Sequence, residues 1–135
     1  MNKYGNIKVV VDNIKFDSKM ESDYYVYLKE QKRKDLIKDF ELQPIFVLQP
    51  SFKKNGKTYR KIEYRADFKI IHNDSSISIV DIKGMETTEF KLKQKIFEYK
   101  YPDLHLQCLT YVKKYGGWIQ LEKLKKIRRE NRRKK

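Results

Sequence analysis

One cysteine, Cys108, is present in the 135 residues. It cannot close an internal disulfide, which suits a reducing compartment. Its setting, "LHLQCLTYV", reads as a buried strand, so the thiol is expected to serve packing. No apolar run approaches the roughly 20 residues that a membrane helix needs. The opening stretch, "MNKYGNIKVVVDNIKF", has no secretory h-region, because Asp12, Asn13 and Lys15 interrupt its short apolar run. The expected location is the cytoplasm, with no membrane partner. A glycine-rich phosphate loop of the nucleotide-binding type is also missing. His72 and His105 show neither metal-ligand spacing nor a nucleophile partner, and no chemistry is assigned to them.

Positive charge, by contrast, is abundant. Lys and Arg total 32 against 18 Asp and Glu, a formal charge of +14. Such an excess repels itself in the folded state and is best explained by a polyanionic partner. DNA or RNA comes first, a membrane surface or an acidic protein second. A hydrophobic fraction of 39% still marks a globular chain despite 37% charged residues. The length is that of one domain able to bury a core.

Periodicity gives the element order. Residues 6–16 read as a strand, or a strand and turn. From 18 to about 34 the pattern is helical, with Met20, Tyr24 and Leu28 on one face. "DFELQPIFVLQP" alternates and is broken by Pro44 and Pro50, which predicts short or edge strands. Asn55-Gly56 predicts a two-residue hairpin, pairing the preceding segment with "KTYRKIEYRADFKII". "HNDSS" makes a turn and "ISIVDIKG" the next strand. A second helix follows, capped by Thr87 or Thr88 and ending before Pro102. Its apolar residues fall on two sides, Phe90 and Phe97 on one, Leu92, Ile96 and Tyr99 on the other, so both sides are expected to be covered. "DLHLQCLTYV" is the last strand. Strand, helix, strand implies a parallel pair inside a mixed sheet. The predicted domain spans 1–118, with Trp118 anchoring a basic helix or tail over 119–135. Nine of the last 13 residues are Lys or Arg. The tail reads either as a solvated end or as a phosphate-contacting arm through Lys125, Lys126, Arg128, Arg129, Arg132 and Arg133.

The candidate chemistry lies in "SISIVDIKGMETTEF". Residues at i and i+2 share a strand face, so Asp81 and Lys83 point the same way at the strand's C-terminal end, where open α/β sheets bind ligands. Asp67, in "YRADFKI", lies on the preceding strand, and a short turn would bring the two acids together. Two carboxylates in one site repel unless neutralised, and a hard divalent cation does this. Lys83 would supply a positive charge beside the metal. Glu21 would complete the site, although Ser18-x-x-Glu21 equally fits a capping box. On the second helix, Lys91, Gln94 and Lys95 share a face that would hold a nucleic-acid backbone or simply be solvated. Gly84 would permit close backbone approach, while Thr87 and Thr88 divide between cap and phosphate contact. Tyr4, Tyr59, Tyr64 and Tyr101 are weighed as base-stacking platforms against core packing.

Taken together, Glu21 on a helix, then Asp67, then Asp81-Ile82-Lys83, resemble the PD-(D/E)xK nuclease superfamily. The likeness covers about residues 15–105, through "FDSKMESDYYVYL", "ELQP", "YRADF", "VDIKG" and "KQKIFEYKYPDL". It extends to small phage nucleases and to junction-resolving enzymes of the endonuclease I type. One departure is Ala66-Asp67 where the signature has Pro-Asp. The resemblance implies an α/β chain with a restriction-endonuclease-like core, a central mixed β-sheet flanked by helices. It implies metal-dependent DNA phosphodiester hydrolysis with Mg²⁺ or Mn²⁺, held by Asp67, Asp81, the Ile82 carbonyl and Glu21, with Lys83 at the attacking water or the developing charge. Branched DNA as substrate, a homodimer with two active sites, and a phage- or prophage-encoded protein in the host cytoplasm are the further expectations. Flaps, forks or DNA ends are alternative substrates, and a non-catalytic basic nucleic-acid-binding protein is the alternative outside enzymology.

Overall fold

The computed structural model describes residues 8–134. Asp12 and Asn13 take positive φ, 52° and 63°, and fold the first expected strand into a hairpin of β1 (Val9–Val11) and β2 (Ile14–Phe16). Helix α1 (Lys19–Arg33) starts on Ser18, whose hydroxyl accepts from the Glu21 amide at 3.1 Å. Tyr24 and Leu28 are buried on its inner face.

The strands that follow are β3 (Asp39–Leu42), β4 (Ile45–Gln49), β5 (Phe52–Lys54), β6 (Lys57–Tyr59), β7 (Ile62–Arg65), β8 (Phe68–Ile71) and β9 (Ile77–Ile82). Asn55 and Gly56 both have positive φ, as a type I′ turn requires. The single long strand expected over "KTYRKIEYRADFKII" is in fact three. β6 pairs with β5 and β7 with β4, and a bend at Asp67 then passes the chain into the central sheet as β8. Thr87, the expected cap, accepts from the Phe90 amide at the start of α2 (Thr88–Lys100). After α2 come β10 (His105–Val112), a short 3₁₀ turn, β11 (Gly117–Gln120) and α3 (Leu121–Arg133).

The central sheet is mixed, in the order β11-β10-β9-β8-β3. β9 runs parallel to β10 and antiparallel to β8, the crossover that the sequence implies. Its face bearing Val80 and Ile82 packs on α1 through Tyr24, Tyr25 and Leu28. The face bearing Ile79 packs toward α2 through Phe90 and Phe97. Covered on both sides, β9 is buried from Ile79 to Ile82, as a central strand requires. The protein is therefore α/β, with helices flanking a mixed sheet.

Two expectations change. On α2, Phe90 and Phe97 are buried and Ile96 packs half-buried against their cluster, while Leu92 and Tyr99 stand 60% and 89% exposed. The expected divide at 118/119 falls inside β11, and Ile119, Leu121 and Leu124 form a buried cluster with Cys108 and Val112 against it. The start of α3 is thus part of the core. Trp118 packs against Tyr24, Tyr27 and Tyr111, and it lines a cleft with Lys123 and Ile127 of α3. No helix among the described residues is long and apolar enough to cross a membrane.

Candidate active site at the end of β9

β9 places Asp81 and Lys83 on the α2 side of the sheet. Lys83 Nζ lies 3.9 Å from Asp81 Oδ2 and 4.3 Å from the centre of the Phe90 ring. The Lys83 amide donates to the Leu109 carbonyl at 2.9 Å, which fixes the strand end against β10. Asp81 is 2% exposed. A buried carboxylate needs donors, and it has two, with a cation beside them. The Asp67 amide donates to Oδ1 at 2.8 Å, the Tyr64 hydroxyl donates to Oδ2, and Lys83 stands nearby.

The register pairs Phe68 with Val80, so the next step of the ladder brings Asp67 opposite Asp81. Asp67 sits on the bend between β7 and β8. Its Oδ2 accepts from the Ile82 amide at 2.8 Å, and its own carbonyl accepts from Gln43. Glu21 arrives from α1, on the opposite face. It lines a small cavity of about 90 Å³ with Asp67 and Gln43, and a wider cleft of about 770 Å³ with Ile82, Lys83 and Thr87. The Ser18 cap and the place in the site are therefore compatible. Ser18 takes the Glu21 amide, while the Glu21 carboxylate feels Asp81 and Lys83.

The electrostatics follow from this crowding. Burial first, then Asp81 and Glu21, push the Asp67 carboxyl up to about 7. Burial raises Asp81, against the Tyr64 hydroxyl, Lys83 and the Asp67 amide, which lower it. Burial and then Asp17 raise Glu21, with Asp81 adding to the rise. Burial and the neighbouring Asp81 carboxylate likewise raise the Tyr64 phenol. Burial pushes the Cys108 thiol up to about 12, which suits packing and not nucleophilic attack.

The donors fit a hard cation in type and in charge. Three carboxylates share one strand end, all raised in pKa, and a divalent ion is the ordinary remedy for such repulsion. They are not drawn tightly round a point. Among the described residues no group of three or more His, Cys, Asp or Glu is gathered closely enough to hold a metal ion. Both Asp81 oxygens and one Asp67 oxygen each accept one hydrogen bond, which leaves each a second lone pair for a cation.

The other expected site residues take several positions. Gln94 lines a pocket with Glu86, Cys108 and Leu121, on the α3 side of α2. Lys91 and Lys95 are exposed. Lys93 of α2, paired with Glu89 at 3.3 Å, lines a cleft of about 400 Å³ with Tyr64, Arg65, Lys83 and Phe90. Lys125 is not a free cation, because it pairs with Glu86 and ties α3 to the segment before α2. Lys126, Arg128, Arg129, Arg132 and Arg133 are exposed. Tyr64, weighed as a stacking platform, is buried and serves Asp81. Tyr101 donates to the Val47 carbonyl and packs on Phe46 and Phe97. Tyr59 stacks on Phe52, and Tyr4 lies outside the described residues. Nothing local in the sequence marks Tyr64 for its role. That role depends on β7 leaning over β9, a contact 17 residues away in sequence.

No curated protein matches the chain. Residues 1–117 match a family described as "Protein of unknown function (DUF1064)", a span that holds Glu21, Tyr64, Asp67, Asp81 and Lys83 and stops at Gly117, ahead of α3. A match over that much of the chain means that the protein belongs to the DUF1064 family.

Proposed function

We propose that this protein is a metal-dependent endonuclease of the PD-(D/E)xK kind, acting on DNA and preferentially on branched DNA. The observation that carries the reading is the meeting of Asp67, Asp81, Lys83 and Glu21 at the C-terminal end of the central strand. The +14 charge supports a polyanionic substrate. Asp67, Asp81, Glu21 and the Ile82 carbonyl would hold Mg²⁺ or Mn²⁺, Glu21 directly or through water. When bound, the cation supplies an acidified water and polarises the phosphoryl oxygen. Tyr64 and the Asp67 amide hold Asp81 in place. Lys83, backed by the Phe90 ring and short of solvent, orients the attacking water or offsets charge developing on the phosphate. The Lys83–Lys93–Arg65 side of the cleft would steer the scissile strand. Resolving a four-way junction takes two coordinated cuts, so the active species would be a homodimer. The strands within 6–16 and 40–49 would be its contacts, in the host cytoplasm of a phage or prophage.

The test is cleavage of a four-way junction, a duplex and a single strand, with and without Mg²⁺. Asp81→Ala should abolish cutting and leave binding intact, with circular dichroism confirming the fold. Equal cutting by the variant would remove Asp81 from the mechanism. A second reading has its own support. The hydrogen bonds that both Asp81 oxygens accept suit a structural ion cluster in a basic nucleic-acid-binding protein, which would bind these substrates and cut none.

A further inference from the structure

The two short sheets β4–β7 and β5–β6 lie end to end in one arm. A bulge between Val47 and Gln49 shifts the register once. Beyond it the partners Gln49–Ile62, Phe52–Tyr59 and Lys54–Lys57 keep a single register to the Asn55-Gly56 turn. The base of this arm carries Tyr64, the donor to Asp81. Its outer part does not serve the core. Residues 51–62 are all exposed, and β5 and β6 pair only with each other. An isolated two-stranded hairpin is marginal in water, so packing does not dictate its composition.

That composition is cationic. Lys53, Lys54, Lys57 and Arg60 have no acidic partner among the described residues. Lys54 and Lys57 stand directly opposite each other, an arrangement that destabilises a ladder unless an anion comes between. Phe52 and Tyr59 brace the ribbon below them, rings 4.8 Å apart and 8° from parallel. Lys57 Nζ lies 5.0 Å from the Tyr59 ring centre. Because each ring already has a neighbour, they suit stiffening the ribbon more than stacking on bases.

We propose that the β5–β6 hairpin is a grip on duplex DNA, seated in a groove with its lysines on the flanking phosphates. A two-stranded ribbon has the width that the major groove admits, and phosphate contacts fix position without reading sequence. From Tyr64 to Lys57 is seven residues along the strand. At roughly 3.3 Å per residue the tip lies no more than about 23 Å from the arm's base, close to seven base-pair steps. The distance from a cut rests on the nuclease reading of the carboxylate site, whereas the grip itself does not.

The experiment is equilibrium binding of the full chain in chelator, by fluorescence anisotropy, to a labelled duplex, a single strand and a four-way junction across a salt series. Lys53→Gln, Lys54→Gln and Lys57→Gln are combined in one variant, with circular dichroism as the fold control. The slope of log affinity against log salt on the duplex should fall by about 2 to 3, at roughly 0.9 for each phosphate that the variant leaves unneutralised. Trimming the junction arms below about seven base pairs should erase the difference from wild type. An unchanged duplex slope, a loss confined to the single strand, or no DNA binding by wild type would overturn the grip. A reduced slope in a protein that cuts nothing under Mg²⁺ leaves the grip standing and sinks the nuclease. The reverse pattern does the opposite.

Discussion

Asp67 and Asp81 hold each other's strands in place: the Asp67 amide donates to Asp81 Oδ1, and Asp67 Oδ2 accepts from the Ile82 amide, both at 2.8 Å. The two acids are thus fixed by backbone groups and not by flexible neighbours. This keeps like charges close without any bound ion, and the raised Asp67 carboxyl is the result.

Removing the Tyr64 hydroxyl tests how much that arrangement depends on the arm. Tyr64→Phe keeps the buried ring and deletes one donor to Asp81. Leaving a buried carboxylate short of a bond costs about 1–3 kcal/mol. We expect that loss in urea unfolding at neutral pH. The Asp81 carboxyl should rise further, since the Tyr64 hydroxyl is first among the groups that lower it. The acid limb of any cleavage profile would therefore move to higher pH.

Protonation gives a second test. Asp67 has an ordinary value of 3.8 and sits near 7 in the fold. Between about pH 4 and 7 the native form holds a proton that the unfolded chain has lost, so this group's contribution to stability falls as pH rises and levels off above 7. Asp67→Asn should flatten the fall in Tm across that window. Adding Mg²⁺ at pH 8 should raise the Tm of wild type by mass action and leave Asp67→Asn much less affected. Equal shifts in both proteins would count against a cation at this carboxylate.

Gly84 separates folding from chemistry. No heavy atom lies within 4 Å of where its Cβ would stand, and its φ is not in the left-handed region. Gly84→Ala should therefore leave stability unchanged or raise it by about 0.4–1 kcal/mol. Because Gly84 lines the cleft with Glu21 and Lys83, cleavage is expected to drop while Tm does not.

The tail divides at Ile127. Ending the chain there keeps the buried Leu121 and Leu124 and removes the exposed Arg128, Arg129, Arg132 and Arg133. Stability should change by no more than about 0.5 kcal/mol. The salt slope of DNA binding should fall by roughly 0.9 for each arginine that meets a phosphate. Leu124→Ala, by contrast, should cost about 2–5 kcal/mol, since it opens a cavity in the core.

Local signals in the sequence carried over well where the cause was local. The Ser18 and Thr87 caps, the Asn55-Gly56 turn, the helix end before Pro102 and the apolar run of β9 each rest on a few adjacent residues. Asp81 and Lys83 sharing a face follows from the strand period alone, and the 14 residues back to Asp67 sufficed to align two neighbours. What stayed hidden needed distant geometry. β6, β7 and β8 read as one strand because neither the break at Arg60-Lys61 nor the bend at Asp67 has a glycine or proline to mark it. The Lys125–Glu86 pair spans 39 residues. The cover over Leu92 and Tyr99 was inferred from their apolarity, but α2 reaches the sheet through Phe90, Phe97 and the half-buried Ile96.

The central place of β9 also bears on synthesis. Its parallel neighbour β10 begins at His105, more than twenty residues after Ile82. A nascent chain can therefore present Glu21, Asp67, Asp81 and Lys83 to the ribosome exit long before that flank exists. Until β10 docks, one edge of β9 bears unpaired amides and carbonyls, and nothing anchors the Lys83 backbone. The Asp67–Asp81 bonds need only residues 64–82, whereas the anchor of Lys83 waits for Leu109.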